Sequence, residues 1–356
     1  MSVEPPTKEV SEADPEQYYG HTPSRLFEGA RPIHVSEDGT RQYGLYCPNV
    51  DLTKCREFSA ADVEEIKVKI QQARGVLTFP NQSPDLSPDD QLFFATLFGE
   101  AETHTAAKGM PGYPQVLEII REKNAQIVFG EDWHSDHSFQ PWPASFSFLR
   151  ATGTMTPYGT NNTQFAQCIE SWKDLSPTLK NICLNLKVSH SARKAYGTPD
   201  QGGHKKNSLV AMQGTSSNGG MKVRTDKPLL PDQYHPVVIT IPETGEEALF
   251  VSTTFTNGIV GMTDDEGNAF IRYLQELMTK PEYQFEVAHE PHQVTMWDNR
   301  QLIHRGLVND ASSRRIIQRV SVSTGARPQA ANPDLYQPGD ELERQEHLDE
   351  LNQQAP

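Results

Sequence analysis

The sequence predicts a mainly β domain with helices flanking a sheet. Short segments rich in apolar and β-branched residues recur along the chain, and these strand candidates cover 144–151, 236–241, 248–252, 293–297 and 315–323. Other segments carry helix starts and helical spacing. Because nothing between residues 31 and 325 has the composition of an interdomain linker, we expect a single domain there.

Capping residues support the predicted helices. Ser59 precedes apolar residues at helical spacing, and Gly75 ends that segment before the apolar run 76–79. Three more starts follow the same logic, and they are Ser87-Pro88, Ser176-Pro177 and the capping box Thr263 to Glu266. We expect these helices to pack on the outside of the sheet.

The net charge of −15 is concentrated at the two ends of the chain. Residues 1–20 contribute a net −4 and residues 331–356 a net −6. The remaining body is only mildly acidic, so we expect neither a nucleic acid nor a membrane as partner. We interpret residues 1–30 as a mobile extension and residues 326–356 as a polar acidic tail.

Other features of the sequence favour a cytoplasmic protein. It has no run of eighteen apolar residues, and its N-terminus does not resemble a signal peptide. The four cysteines lack Cys-x-x-Cys spacing, which predicts reduced thiols. Residues 197–233 read as a lid or as a disordered surface insertion. A homo-oligomer is compatible with the sequence.

The triplet His134-Ser135-Asp136 offers two metal ligands in one short segment. In an extended strand successive side chains alternate, so His134 and Asp136 point to one side and His137 to the other. Two histidines and one carboxylate leave coordination positions open, as in non-heme Fe(II) oxygenases. The third ligand must come from elsewhere in the chain.

A second group of residues lies near the C-terminal end. Residues 293–297 read as a strand, Asp298-Asn299 as a turn, and His304 lies in the returning segment. Arg315 and Arg319 are four residues apart in an apolar run, so they share one face of a strand. Inward arginines are costly without anionic partners, and a guanidinium suits a carboxylate. A dicarboxylate cosubstrate would be such a partner.

From about Gly44 to Thr324 the chain resembles the taurine dioxygenase and 2,4-dichlorophenoxyacetate dioxygenase family of Fe(II)/2-oxoglutarate enzymes. His304 precedes Arg315 and Arg319 by the family's offsets. Further motifs carry the resemblance, and they are Phe98-Gly99-Glu100 with His104, Thr163-Gln164-Phe165, His235-Pro236-Val237-Val238 and Trp297-Asp298-Asn299-Arg300. The resemblance implies that the predicted strands form a double-stranded β-helix, also called a jelly roll or cupin-like fold.

The resemblance also implies roles for single residues. His134, Asp136 and His304 would bind iron, and Thr163 with Arg315 would hold the distal carboxylate of 2-oxoglutarate. Arg319 would contact the cosubstrate or an anionic substrate. His104 and Ser252 are further substrate candidates. Two positions depart from the family: Ser252 stands where asparagine is common, and Thr160-Asn161-Asn162 replaces the usual Gly-Gly-Asp before the threonine.

The implied activity is a dioxygenase reaction that uses Fe(II), 2-oxoglutarate and O2. It would hydroxylate a small organic anion such as a sulfonate, an aryloxy acid or an alkyl sulfate, and would yield succinate and CO2. A zinc-dependent hydrolase and a non-catalytic small-molecule-binding jelly roll are the alternatives. The arginine pair favours the oxygenase over the hydrolase. The presence of all three ligands disfavours the non-catalytic protein.

Overall fold

The computed structural model describes residues 25–124, 130–153, 162–197, 229–307, 312 and 314–335. The predicted N-terminal extension, the acidic tail and the insertion at 197–233 lie mostly outside these residues, as do Thr160 and Asn161. Those predictions therefore stay predictions.

Strands dominate the described part of the chain. In chain order they are β1 (Arg31–Val35), β2 (Gln42–Tyr46), β3 (Val76–Phe79), β4 (Glu100–Ala101), β5 (Leu117–Arg121), β6 (Phe146–Ala151), β7 (Thr163–Gln167), β8 (Lys187–His190), β9 (Gln233–Pro236), β10 (Val238–Thr240), β11 (Glu247–Leu249), β12 (Thr256–Ile259), β13 (Gln284–Val287), β14 (Val294–Asp298), β15 (Leu302–Gly306) and β16 (Arg315–Ser323). All five predicted strand regions contain strands, and the prediction for 315–323 is confirmed at both ends.

Eight strands form one large sheet in the order β1-β2-β3-β14-β6-β16-β4, with β5 also paired to β16. Smaller sheets have the orders β13-β7-β15 and β12-β8-β9, and β10 pairs with β11. The pairs are antiparallel except for β2 with β3. This arrangement of antiparallel sheets confirms the predicted jelly roll.

An apolar core joins the large sheet to the sheet of β13, β7 and β15. Trp297 and Ile317 of the large sheet belong to the same buried cluster as Phe165 and Phe285 of the smaller one. The strands alternate, because Val320 of β16 belongs to a different cluster on the opposite face. The inward face of β16 therefore carries Arg315, Ile317 and Arg319.

Helices cover the outer surfaces. They are α1 (Ala60–Gln72), α2 (Pro88–Thr96), α3 (Cys168–Lys173), α4 (Pro177–Cys183), α5 (Arg193–Tyr196) and α6 (Asp264–Met278), with short 3-10 turns at Arg25–Phe27, Leu52–Glu57, Pro281–Tyr283 and Pro333–Leu335. The predicted caps are confirmed. Ser59, Ser87 and Thr263 each complete a capping box, and the Ser176 hydroxyl accepts the N–H of Leu179.

The four cysteines are free and buried, as the sequence predicted. Among the described residues, no helix has the length and apolar character needed to cross a membrane.

Candidate metal centre

His134 and His304 lie directly opposite each other on neighbouring backbone segments. The N–H of His134 donates to the carbonyl of His304 at 3.0 Å, and the N–H of His304 donates back at 2.8 Å. Residues opposed in this way project side chains to the same face. The two imidazole centroids are accordingly 4.3 Å apart.

Asp136 completes a cluster with these histidines. Its carboxylate oxygens lie 3.7 Å from Nε2 of His134 and 3.8 Å from Nε2 of His304. One donor atom from each residue lies within 4.8 Å of the others, and all three residues are buried. The structure therefore brings the three predicted ligands together around one point.

The local backbone differs from the regular strand that the sequence suggested. In this segment only His134 forms a bridge, and a turn begins at Asp136 where the strand was expected to continue. His137 adopts a left-handed conformation with φ 53°. The prediction of a strand here was wrong, although the two predicted ligands still converge, with the Asp136 carboxylate 3.7 Å from Nε2 of His134.

Two side chains bind the Asp136 carboxylate, and a third binds the Asp136 backbone. Arg319 Nη1 donates to Oδ1 at 2.5 Å, and Ser147 Oγ donates to Oδ2 at 2.7 Å. The Asp136 N–H also donates to Oδ1 of Asn299 at 3.3 Å. Burial alone would raise the pKa of Asp136, but the neighbouring charges, Arg319 foremost, outweigh it and hold that pKa far below its usual range. The carboxylate is thus ionised and oriented.

Asn299 connects several elements around this carboxylate. Its side-chain oxygen accepts the indole N–H of Trp297 at 2.8 Å, and its amide donates to Ser147 Oγ at 2.9 Å. Its backbone carbonyl accepts the hydroxyl of Ser135 at 2.8 Å. The Trp-Asp-Asn-Arg motif therefore ends β14 and also links the segments that surround the Asp136 carboxylate.

The imidazoles of His134 and His304 are neutral, as metal binding requires. Nδ1 of His134 lies 2.7 Å from the carbonyl oxygen of Asp132, so Nδ1 carries the proton and Nε2 presents its lone pair to the cluster. Burial lowers the pKa of His134 to about 4, and burial lowers that of His304 as well. Two neutral imidazoles and a carboxylate fit a divalent transition metal such as Fe(II).

Arg315 lies further along the inward face of β16. It is buried, its Nε has no hydrogen-bond partner, and no ion pair to it occurs within the described residues. Arg121 lies directly opposite in β5 and is also buried. Burial, and then the charge of Arg121, lower the pKa of Arg315 to about 10. A buried guanidinium such as that of Arg315 calls for an anion, and the distal carboxylate of 2-oxoglutarate is the anion predicted for it.

Thr163 begins β7 and reaches the same region through His289. Its Oγ1 lies 2.8 Å from Nε2 of His289. Burial lowers the pKa of His289, and the positive charge of Arg315 lowers it further, to about 3. The predicted pair Thr163 and Arg315 thus shares a neighbour on the interior of the jelly roll.

His104 is buried beside His137 and Tyr196, with centroid separations of 4.8 and 5.4 Å. Its Nδ1 accepts the backbone N–H of Ala106 at 3.0 Å, so Nε2 carries the ring proton. His137 Nδ1 lies 2.7 Å from the carboxylate of Glu102. These side chains form a polar wall that the sequence only partly indicated.

Ser252 occupies a different place. Its backbone N–H donates to Thr256 Oγ1 at 2.9 Å, and its buried hydroxyl has no partner among the described residues. With Ser135, Ser138 and His190 it borders a small internal cavity. Its role as a substrate contact stays a prediction.

The sequence interpretation missed Ser147, Asn299 and His289 as parts of the site. The alternation along β6 could have placed Ser147 inward. No local pattern marks His289, which follows the end of β13.

Comparison with known proteins identifies the family of this chain. The model of the family "Taurine catabolism dioxygenase TauD, TfdA family" matches residues 35–321. An alpha-ketoglutarate-dependent sulfonate dioxygenase of Saccharomyces cerevisiae is 26% identical over 76% of this chain, which spans 62% of that protein. An alkylsulfatase of Acinetobacter baylyi is 28% identical over 70% of this chain and 75% of the relative.

A crystal structure of a putative alpha-ketoglutarate-dependent taurine dioxygenase from Burkholderia xenovorans superposes with a TM-score of 0.62 at 25% identity, covering 83% of this chain and 92% of the other. With the matched segment containing the jelly roll and all three clustered ligands, the chain belongs to the TauD/TfdA family of Fe(II)- and 2-oxoglutarate-dependent dioxygenases.

Proposed function

We propose that this protein hydroxylates a small organic anion, a sulfonate or an alkyl sulfate, at a centre in which His134, Asp136 and His304 bind Fe(II). The observation that carries the proposal is the convergence of these three buried side chains, with donor atoms within 4.8 Å, on the face that also bears Arg315 and Arg319. The names of the yeast and Acinetobacter relatives support the substrate class.

In this proposal each cosubstrate contact has a protein partner. Arg315 binds the distal carboxylate of 2-oxoglutarate with its guanidinium fork, and the Thr163 hydroxyl adds a hydrogen bond. The buried Arg315 Nε, which has no hydrogen-bond partner within the described part of the chain, supports this role. When bound, Fe(II) with 2-oxoglutarate and O2 supplies the oxidising chemistry that inserts oxygen into a substrate C–H bond and releases succinate and CO2.

The charge around the centre favours an anionic substrate. Among the described residues of the inward face, the buried cations Arg315 and Arg319 stand against one buried carboxylate, that of Asp136. The two charges of Fe(II) and those of 2-oxoglutarate cancel each other. A positive charge remains, and a substrate anion would neutralise it at low dielectric.

The structure changes the reason for placing that anion at Arg319. From the sequence, the inward Arg319 was expected to need a bound anion. In the structure, the carboxylate of Asp136 is already its anionic partner. His104 provides a second contact, because the protonated Nε2 is a donor suited to a sulfonate or sulfate oxygen. We therefore place the substrate head group at His104, and Arg319, which remains paired with Asp136, adds a nearby positive charge.

The test measures succinate formed by protein reconstituted anaerobically with Fe(II) and then supplied with 2-oxoglutarate and air. The panel contains alkyl sulfonates, alkyl sulfates, aryloxy acids and neutral alcohols of matched chain length. We expect sulfonates or sulfates to stimulate succinate release and the alcohols to leave it at the uncoupled rate. His104→Ala should raise the KM for the anion without changing that for 2-oxoglutarate.

Two outcomes would contradict the proposal. Full activity with zinc in chelator-treated buffer would favour the hydrolase instead of an oxygenase. A neutral or cationic compound as the best substrate would retain the dioxygenase but remove the anion site at His104 and Arg319.

A further inference from the structure

Four buried side chains form a hydrogen-bonded row that ends at the predicted cosubstrate site. Gln293 Nε2 donates to Thr295 Oγ1 at 3.1 Å, Thr295 Oγ1 lies 3.5 Å from Nδ1 of His289, and Nε2 of His289 lies 2.8 Å from Thr163 Oγ1. All four residues are buried. Thr295 and Gln293 lie at the start of β14, whereas Thr163 starts β7, so the row joins the two facing sheets.

The hydrogen bonds of this row all donate in one direction, starting from Gln293. An amide nitrogen can only donate, and the same nitrogen also faces the carbonyl oxygen of Ala288 at 3.4 Å, which fixes the orientation of the amide. Thr295 Oγ1 therefore accepts from Gln293. The acceptor within reach of the Thr295 hydroxyl proton, among the described residues, is Nδ1 of His289.

This contact sets the tautomer of His289. A nitrogen that accepts a hydrogen bond carries no proton, so Nδ1 holds the lone pair. Burial, together with the charge of Arg315, keeps the ring neutral, with a pKa of about 3. The single ring proton then lies on Nε2, and Nε2–H donates to Thr163 Oγ1.

The consequence falls on the Thr163 hydroxyl. Because its oxygen accepts from His289, its own proton points elsewhere. The opposite tautomer would take that proton and turn oxygen lone pairs toward the anion that Arg315 attracts. Such an arrangement would repel a carboxylate, whereas the observed row presents a donor to it.

We propose that His289 is a positioning residue for 2-oxoglutarate: held in its Nε2–H tautomer by Thr295 and Gln293, it makes the Thr163 hydroxyl a dedicated donor to the distal carboxylate. This inference rests on the proposed function only in placing that carboxylate between Thr163 and Arg315. His289 itself does not touch the cosubstrate.

The experiment measures the Kd of 2-oxoglutarate by anaerobic calorimetry on the Mn(II)-loaded full-length protein, so that no turnover is needed. Thr163→Val should weaken binding about tenfold or more, because it removes a hydrogen bond to a charged group. His289→Phe, which keeps a planar ring without donors, should weaken binding about three- to tenfold. His289→Gln places an N–H near Nε2 and should restore binding to within about threefold of the wild type.

A double-mutant cycle separates positioning from a general packing effect. If His289 acts through Thr163, His289→Phe should have almost no further effect on the Kd in the Thr163→Val background. Thr295→Val, nearly isosteric, should weaken binding about two- to fivefold, since it frees His289 to adopt either tautomer. His235→Gln serves as a matched control for a buried, hydrogen-bonded histidine, and should leave the Kd unchanged.

The outcomes distinguish failure of the inference from failure of the site. If Thr163→Val does not change the Kd, the cosubstrate site itself is misplaced. If Thr163→Val weakens binding while His289→Phe does not, or if the two effects add fully, the positioning role of His289 is refuted. Melting curves of each variant show whether it is folded, and Thr295→Val gives a test that does not replace the histidine.

Discussion

Arg319 donates from Nη1 to Oδ1 of Asp136 at 2.5 Å, which joins a predicted substrate-binding arginine to a predicted iron ligand. Both side chains are almost completely buried. The carboxylate therefore has a counter-ion within the protein before any metal binds. A metal ion and the guanidinium must then share the charge of one carboxylate.

Arg319→Gln should make the metal-free protein less stable and increase the stabilisation that a metal provides. Without the guanidinium, Asp136 becomes an unpaired buried charge, a defect that costs about 3–5 kcal/mol. Fe(II) or Mn(II) would replace the missing counter-ion. Differential scanning calorimetry with and without Mn(II) measures this, and the metal-induced rise in Tm should exceed that of the wild type.

The matched control for this change is Arg305→Gln. Arg305 donates to the neutral Gln164 side chain and not to a metal ligand. The metal-induced rise in Tm of the Arg305→Gln variant should equal the wild-type value. An equal rise for Arg319→Gln would mean that the ion pair with Asp136 does not matter for the metal-free state.

Ser147→Ala should weaken Fe(II) binding about tenfold or more. The Ser147 hydroxyl donates to Oδ2 of Asp136 and accepts a hydrogen bond from the side-chain amide of Asn299. Its loss should therefore leave the Asp136 carboxylate less firmly oriented. Hydrogen bonds to metal ligands have effects of about this size. Titration of the apoprotein with Fe(II) under anaerobic conditions gives the Kd. Ser145→Ala, whose hydroxyl contacts Thr324, is the control and should bind normally.

Arg315→Lys should raise the KM for 2-oxoglutarate about tenfold with a smaller effect on kcat. The charge remains, but the planar fork that matches a carboxylate is lost. Initial rates at varied 2-oxoglutarate check this. Arg314→Lys is the neighbouring control, since Arg314 is exposed and pairs with Glu122. Equal behaviour of the two variants would place the anchor elsewhere.

Stability should fall as the pH drops from 7 to 5, in part because of His235. Burial lowers its pKa in the folded protein to about 4, whereas an unfolded histidine titrates near the ordinary value of 6.5. The unfolded state therefore binds the proton first, so the stabilising effect is complete above that ordinary value and is lost as the pH falls toward 4. The loss attributable to His235 is about 2 kcal/mol at pH 5.

His235→Gln should reduce this dependence. The variant cannot take up the proton, so urea unfolding at pH 7 and at pH 5 should give more similar free energies than for the wild type. His34→Gln, which replaces a histidine that is only partly buried, should keep most of the wild-type difference. An unchanged pH dependence in His235→Gln would show that other groups govern acid unfolding.

Features that depend on short stretches of chain could be predicted from the sequence. The helix starts at Ser59, Ser87 and Thr263 follow from hydrogen bonds that close within three residues. The inward placement of Arg315 and Arg319 follows from strand alternation. The three predicted metal ligands cluster in the structure, and the sequence could name them because the family motif fixes both their chemistry and their spacing.

Contacts between distant segments could not be predicted in this way. The left-handed turn at His137 replaces the regular strand that simple alternation suggested. The row from Gln293 to Thr163 crosses between two sheets, and its members carry no sequence pattern in common.

The mainly β class, the helix starts and the family thus follow from the sequence alone, and the sequence also predicts the three metal ligands, because local hydrogen bonding, alternation and motif spacing are written along the chain. Three relationships are visible only in the three-dimensional structure: Arg319 pairs with Asp136, Ser147 donates to that carboxylate while Asn299 binds Ser147, and His289 lies against Thr163. Those relationships depend on the register between strands far apart in sequence and on burial, which makes each charge and each hydrogen-bond donor require a partner.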